Sequence, residues 1–126
     1  MRAIDTNVLV RLLARDDPGQ LASAEAFVQV GAWISLLVLM ETVWVLDSVY
    51  GIKPVSLANG VEMLLDHQQI VVQDADMVKR ALGKYRQHPE IGFSDCLILE
   101  VACAAGHTPL GTFDRRLGKL KGAQKL

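Results

Sequence analysis

The sequence contains little cysteine and no arrangement of cysteine and histidine that is typical of a zinc site. Its two cysteines, Cys96 and Cys103, fall in one predicted helix, where a separation of seven residues corresponds to about 10 Å between Cα atoms. A disulfide requires a shorter distance. The histidines His67, His88 and His107 are scattered, with no CxxC or HxxxH spacing. We therefore expect two reduced thiols and no bound zinc.

Long apolar runs and an excess of positive charge are also missing. Apolar residues make up 51% of the 126 residues, but no window approaches the ~18 consecutive apolar residues of a membrane-spanning helix. The first residues also lack the apolar stretch of a secretory signal. These absences predict a soluble, cytoplasmic protein. The formal net charge of -1 argues against binding nucleic acid by bulk electrostatics.

Two common catalytic motifs are absent as well. No GxxxxGK phosphate-binding loop occurs anywhere in the chain. The segment Gly92-Phe93-Ser94-Asp95-Cys96 lacks the final glycine of a nucleophile elbow and follows no predicted strand, which argues against a serine hydrolase.

What the sequence does contain is an alternation of short β-branched or apolar runs with helical periodicity, which is typical of an α/β fold with a parallel sheet. The length predicts a single domain over residues 1–126. Whether residues 122–126 form a last edge strand is left open. The predicted strands cover residues 2–4, 32–35, 70–72 and 109–113, and the predicted helices cover 6–14, 18 to about 30, 36–50, from 56, from 75, and 94 or 95 to 106.

Four acidic residues interrupt or end apolar runs near a predicted strand end or helix start. They are Asp5, Glu41, Asp95 and Asp114. In an open parallel sheet, ligands bind beyond the carboxyl ends of the strands, so these acids are candidates for one pocket. Two carboxylates about 5 Å apart repel by roughly 3 kcal/mol at an effective dielectric near 20. A hard cation such as Mg²⁺ would offset that repulsion.

Each of these acids also has a purely structural interpretation. Asp5 and Asp95 stand where a helix N-cap or first-turn acid is favourable, and Asp114 is suited to a turn. Glu41 lies between long apolar runs, so a buried salt bridge is its alternative. Glu100 is five residues after Asp95, and we expect it at the surface.

Further polar residues accompany the acids. Asn7 and Thr112 are placed to hydrogen-bond the acids or a metal-bound water, although local backbone capping is the alternative. After Asp114 the chain is basic and contains no acid, so it is either a solvated tail or a contact for the phosphate backbone of RNA. The basic residues are Arg115, Arg116, Lys119, Lys121 and Lys125.

The residues around the acids resemble those of PIN-domain proteins, specifically toxins of the VapC type. The similarity covers essentially the whole chain and rests on four segments in order, Ala3-Ile4-Asp5-Thr6-Asn7-Val8-Leu9-Val10, Glu41 in its apolar helix, Gly92-Phe93-Ser94-Asp95-Cys96-Leu97-Ile98 and Thr112-Phe113-Asp114-Arg115. This resemblance implies a three-layer α/β/α sandwich with a central parallel sheet of four to five strands. It also implies Mg²⁺- or Mn²⁺-dependent endoribonuclease activity, a homodimer, and a small antitoxin that blocks the site.

In this interpretation Asp5, Glu41, Asp95 and Asp114 form the catalytic quartet. Asp5 and Asp95 are the expected metal ligands, and Asn7 and Thr112 support the acids. The metal would activate a water for hydrolysis of unpaired RNA. Two alternatives remain. One is a non-catalytic PIN-like module that binds RNA or a partner. The other is a haloacid-dehalogenase-like phosphotransferase, which needs a second Asp where this chain has Asn7.

Overall fold

The computed structural model describes all 126 residues, which divide into two compact units, residues 1–75 and residues 76–126. Together the units contain six α-helices and five short strands. No helix combines the length and the hydropathy that a membrane span requires. That residues 1–126 form one domain stays a prediction.

The first unit contains a parallel sheet and four helices. β-Branched and aromatic residues form most of its two longer strands, which suits a pleated and largely buried surface. The strands are β1 (Arg2–Ala3), β2 (Ala32–Ile34) and β3 (Ile70–Val72), in the order β1-β2-β3. The helices are α1 (Thr6–Ala14), α2 (Pro18–Val28), α3 (Leu36–Ser48) and α4 (Pro54–Asp66).

Side-chain caps determine where the first three helices begin. The side chains of Asp5, Asp17 and Ser35 accept hydrogen bonds from backbone N–H groups three residues later. Such caps satisfy donors that have no partner within the helix. Pro18 occupies the first turn of α2, where its missing N–H costs nothing.

The core of the first unit lies between its sheet and helices. Leu9 of α1, Ile34 of β2 and Leu39 of α3 are fully buried. Trp33 of β2 is half-buried, whereas Trp44 of α3 is 59% exposed. The packing of α1 against both α2 and α3 gives the residues that follow β1 a fixed position.

The second unit contains two helices, a short 3-10 helix and a two-stranded parallel sheet. Helix α5 (Ala75–Gln87) begins at the boundary between the units, and α6 (Phe93–Ala104) follows a loop. Strands β4 (Leu110–Thr112) and β5 (Ala123–Lys125) pair in parallel, with the 3-10 helix at Leu117–Lys119 between them in the chain.

The predicted α/β fold with parallel strands is confirmed, but the sheets are smaller than expected. One sheet has three strands and the other has two, instead of a single sheet of four to five. Each strand has only two or three residues, so each ladder contains few hydrogen-bonded pairs. The edge strand that the sequence left open does form, as β5.

Candidate active site

Asp5 lies at the junction between β1 and α1. Its side chain caps α1 through a hydrogen bond from the backbone nitrogen of Val8 to Oδ1, at 3.1 Å. The residue is otherwise exposed. The capping interpretation therefore applies to Asp5, and because the cap uses one carboxylate oxygen, the other remains available for a ligand.

A cleft of about 660 Å³ opens beside Asp5 in the first unit. We call it the Asp5 cleft. Asn7, the residue expected to accompany Asp5, lines it as well. The remaining lining comes from α1, from the turn that follows it and from α2, and consists of Val8, Arg11, Asp17, Gly19, Gln20, Ser23, Ala24 and Phe27.

Arg11 in this cleft is held by three other side chains, a network that the sequence analysis missed. Its Nε donates to Gln20 Oε1, and its Nη1 donates to Asp16 Oδ1 at 3.3 Å and to Tyr50 Oη at 3.1 Å. The hydrogen bond with Tyr50 is the main cause that raises the pKa of Arg11. In the sequence, the adjacent acids Asp16 and Asp17 follow soon after Arg11, the only basic residue of α1. This spacing could have indicated an ion pair with Arg11.

Glu41 lies on the exposed side of α3, which excludes the buried salt bridge that was the structural alternative for this residue. Helix α3 is apolar almost all round, and packing rotates it so that Thr42 is buried. Leu37 and Trp44, one turn on either side of Glu41, are also exposed. Thr42 Oγ1 is buried without a hydrogen-bond partner.

Asp95 lies in the first turn of α6 and is half-buried. Gly92, with φ of 91°, precedes the helix and turns the chain into it through a conformation that favours glycine. Partial burial raises the pKa of Asp95, and the negative charge of Asp114 raises it further. Two carboxylates of the predicted quartet are therefore close enough to repel each other.

Asp114 occupies the turn between β4 and the 3-10 helix. Its Oδ1 accepts hydrogen bonds from the backbone nitrogens of Arg116 and Leu117, both at 2.8 Å. Thr112 Oγ1 accepts a hydrogen bond from the Asp114 backbone nitrogen at 3.0 Å. Thr112 thus contacts the backbone of the acid, which is the capping role that the sequence left as an alternative.

The basic residues after Asp114 are all exposed. Arg116 Nη1 donates to the Glu90 carbonyl oxygen at 3.5 Å, and Arg115 directly precedes it in the turn. Lys119, Lys121 and Lys125 complete the exposed cationic segment.

Glu100 is buried, so its expected place at the surface is wrong. It is only 5% exposed, and its carboxylate contacts Lys84 Nζ at 2.5 Å and Arg80 Nε at 3.3 Å. Both basic side chains come from α5 and are long enough to reach the carboxylate while their heads stay partly in water. The buried charge is therefore paired.

The two thiols are free, as predicted. Cys96 is fully buried beside Asp95 in the chain, and this burial is the main cause that raises its pKa to about 11. Its thiol is therefore protonated at neutral pH, as is typical of a buried structural cysteine.

The carboxylates offer oxygen donors to a hard cation. Within neither unit do three His, Cys, Asp or Glu side chains gather into a group able to hold a metal. Asp114 is nevertheless close enough to Asp95 for its negative charge to raise the pKa of Asp95. This fits Mg²⁺, which usually binds one or two carboxylates and completes its coordination with water and substrate phosphate.

Comparison with known proteins gives one result. The PIN domain family model matches residues 3–123, which include all four acids and span both units. No curated protein and no solved structure matches the chain significantly.

Proposed function

This chain belongs to the PIN-domain family, whose members are typically nucleases, and we propose that it is a Mg²⁺-dependent endoribonuclease of the VapC type. Its acidic quartet would be Asp5, Glu41, Asp95 and Asp114. Mn²⁺ is an alternative to Mg²⁺, and the substrate would be unpaired RNA.

The main observation that supports this proposal is that the carboxylates of Asp95 and Asp114 are close enough to repel each other. Asp95 is half-buried, and burial together with the negative charge of Asp114 raises its pKa. A fold tolerates such an arrangement where function requires it. A divalent cation would provide a compensating positive charge.

From the family resemblance, we propose Asp5 and Asp95 as the metal ligands. When bound, the metal would lower the pKa of a coordinated water and stabilise charge on the phosphoryl oxygens. Asp95 must be deprotonated to bind the metal. Because its pKa is raised, Asp95 becomes protonated at a higher pH than an ordinary Asp as the pH falls, so metal binding should also weaken at a higher pH. Asp114, fixed by two backbone N–H groups, and the exposed Glu41 would orient the water or the RNA.

Arg115 and Arg116 would contact the RNA backbone. Both are exposed and lie in the turn that holds Asp114, so they bring positive charge close to a carboxylate of the quartet. Substitution of either with Gln should weaken RNA binding and reduce its dependence on salt, because each removes one phosphate contact.

A cleavage assay tests this function. Purified protein is incubated with a panel of structured RNAs in Mg²⁺, Mn²⁺ or EDTA, beside an Asp95→Asn variant prepared identically. We expect cleavage in the presence of metal, no cleavage in EDTA, and loss of activity in the variant. Equal cleavage by both proteins would identify a contaminating nuclease. A folded wild-type protein that binds these RNAs but never cuts them would favour the non-catalytic module.

We further propose that the nuclease acts as a toxin, forms a homodimer and is neutralised by a small antitoxin. Exposed apolar side chains on α3, Leu37 and Trp44, support an interface with another protein chain. Induced expression should stop growth with the wild-type chain but not with Asp95→Asn, and co-expression of a small protein from the adjacent reading frame should restore growth. Continued growth with an active nuclease would contradict the toxin role. Light scattering distinguishes a dimer from a monomer.

A further inference from the structure

The Asp5 cleft has the dimensions and the lining of a site for one small polar ligand. Its volume of about 660 Å³ falls within the range of ligand pockets in proteins, roughly 300–1,000 Å³. Val8, Ala24 and Phe27 supply an apolar surface, and Arg2 Cζ lies 3.7 Å from the centroid of the Phe27 ring, which holds that ring in place.

The charges in the cleft favour a neutral ligand over an anionic one such as a phosphate group. Asp5 and Asp17 both line it, whereas Arg11 is the only basic residue that does so. Arg11 already forms a salt bridge with Asp16 and hydrogen bonds with Gln20 and Tyr50. Little of its positive charge is therefore left to attract an anion.

Two residues at the start of α2 that line the cleft, the cap residue Asp17 and Gln20, have opposite hydrogen-bonding groups to offer. Asp17 Oδ1 accepts from the Gln20 backbone nitrogen at 3.0 Å, which leaves Oδ2 as an acceptor. Gln20 Oε1 accepts from Arg11 Nε, which leaves the amide NH₂ as a donor. Asp17 and Gln20, which both line the cleft, thus keep one acceptor and one donor three residues apart in the chain.

We infer that the Asp5 cleft binds one unpaired RNA base beside the cleaved phosphodiester, and that Asp17 and Gln20 select a base with an imino N–H next to a carbonyl oxygen. Uracil and guanine have this edge, whereas cytosine and adenine present an amino group next to a ring nitrogen. The inference rests on the proposed ribonuclease function, because Asp5 belongs to the proposed quartet. Reading of single-stranded bases by their Watson–Crick edges is common in RNA recognition.

Paired substitutions can exchange the donor and the acceptor without removing the contacts that hold them. Gln20→Glu keeps an oxygen for Arg11 and replaces the amide donor with an acceptor. Asp17→Asn keeps an oxygen for the helix cap and replaces the free acceptor with a donor. Gln29→Glu, at the opposite end of α2 and outside the cleft, is the matched control.

The test measures binding of hexamers of uridine and of cytidine in EDTA, so that no cleavage occurs. These probes have the same ring size and differ at the keto or amino edge. We expect the wild-type protein and Gln29→Glu to prefer the uridine hexamer by about fivefold to tenfold, as for one or two well-placed hydrogen bonds. The double variant Asp17→Asn/Gln20→Glu should reverse this preference.

Mapping of cleavage ends in an unstructured RNA of mixed sequence, with metal present, separates failure of this inference from failure of the proposed function. A reversed preference in EDTA without cleavage in metal would support the base site and contradict the nuclease. Metal-dependent cleavage with the same preference in the wild type and the double variant would overturn the base site and retain the nuclease. Equal binding of both hexamers by the wild-type protein would also overturn the base site.

Discussion

The first turn and the middle of helix α6 carry two carboxylates in contrasting environments. Asp95 is half-buried, has Asp114 as its charged neighbour, and has a raised pKa. Glu100, five residues later, is more deeply buried but is paired with Lys84 and Arg80. Burial alone therefore does not identify a functional acid. The difference lies in the charge that each carboxylate faces, and for this reason we propose Asp95, and not Glu100, as a ligand of the cation.

The largest expected effect is on catalysis. Asp95→Asn should lower metal-dependent RNA cleavage by about a hundredfold or more, the size typical for loss of a group that stabilises the transition state electrostatically. Glu100→Gln should change cleavage by less than about threefold, because Glu100 contacts neither metal nor RNA in the proposed site. Cleavage rates at a temperature where both variants are folded make the comparison. A folded Glu100→Gln protein without activity would break the contrast between the two acids.

For stability, Glu100→Gln should have the larger effect and Asp95→Asn the smaller one, the reverse of their effects on cleavage. Glu100→Gln should lower the free energy of unfolding by about 2 kcal/mol, because a buried ion pair is lost while the basic heads can still reach water. Asp95→Asn should change it by less than about 0.5 kcal/mol, since relief of repulsion offsets the loss of a first-turn acid. Urea denaturation followed by circular dichroism measures both. Glu41→Gln, an exposed glutamate in another apolar helix, is the control and should be nearly neutral.

The two partners of Glu100 should contribute unequally. Lys84 is 30% exposed at its side chain and Arg80 is 55% exposed, so water screens the arginine contact more strongly. Lys84→Met should lower the free energy of unfolding by about 1 kcal/mol and Arg80→Met by about 0.5 kcal/mol or less. Equal losses in the same urea experiment would show that exposure does not determine the strength of these pairs.

The smallest effect concerns the titration of Asp95. Because Asp114 raises its pKa, Asp114→Asn should lower the pKa of Asp95 toward 3.8 without reaching it, since partial burial remains. The folded state binds this proton more tightly than the unfolded state does, so ionisation of Asp95 costs stability as pH rises through the raised pKa. Carbon-13 NMR of the labelled carboxyl group measures the shift. An unchanged titration would show that the two carboxylates do not interact.

Local signals made much of the fold predictable. Helix α1 has the predicted limits because Asp5 caps it and apolar residues recur at helical spacing. Pro18 and Asp17 likewise locate the start of α2. The extent of the sheets could not be read in the same way, since pairing joins residues far apart in the chain and strands of two or three residues carry little pattern.

The environments of the acidic residues could not be predicted from the sequence, and the membership of the quartet stays a prediction. Glu41 lies between long apolar runs in the sequence and is nevertheless exposed, whereas Glu100 was expected at the surface and is buried. Helices α3 and α6 are apolar on nearly every face, so no polar stripe indicates how packing rotates them. The sequence placed Asp95 and Asp114 in one proposed quartet, whereas the contacts of Glu100 depend on the position of α5 beside it.

Both tryptophans of the protein, Trp33 and Trp44, lie in the first unit. Intrinsic tryptophan emission therefore reports on residues 1–75 alone, whereas the peptide circular dichroism signal includes the helices of both units. Thermal melting curves from the two signals will coincide if the whole chain unfolds cooperatively. If residues 76–126 unfold separately, the helical signal will show a second transition that the emission does not.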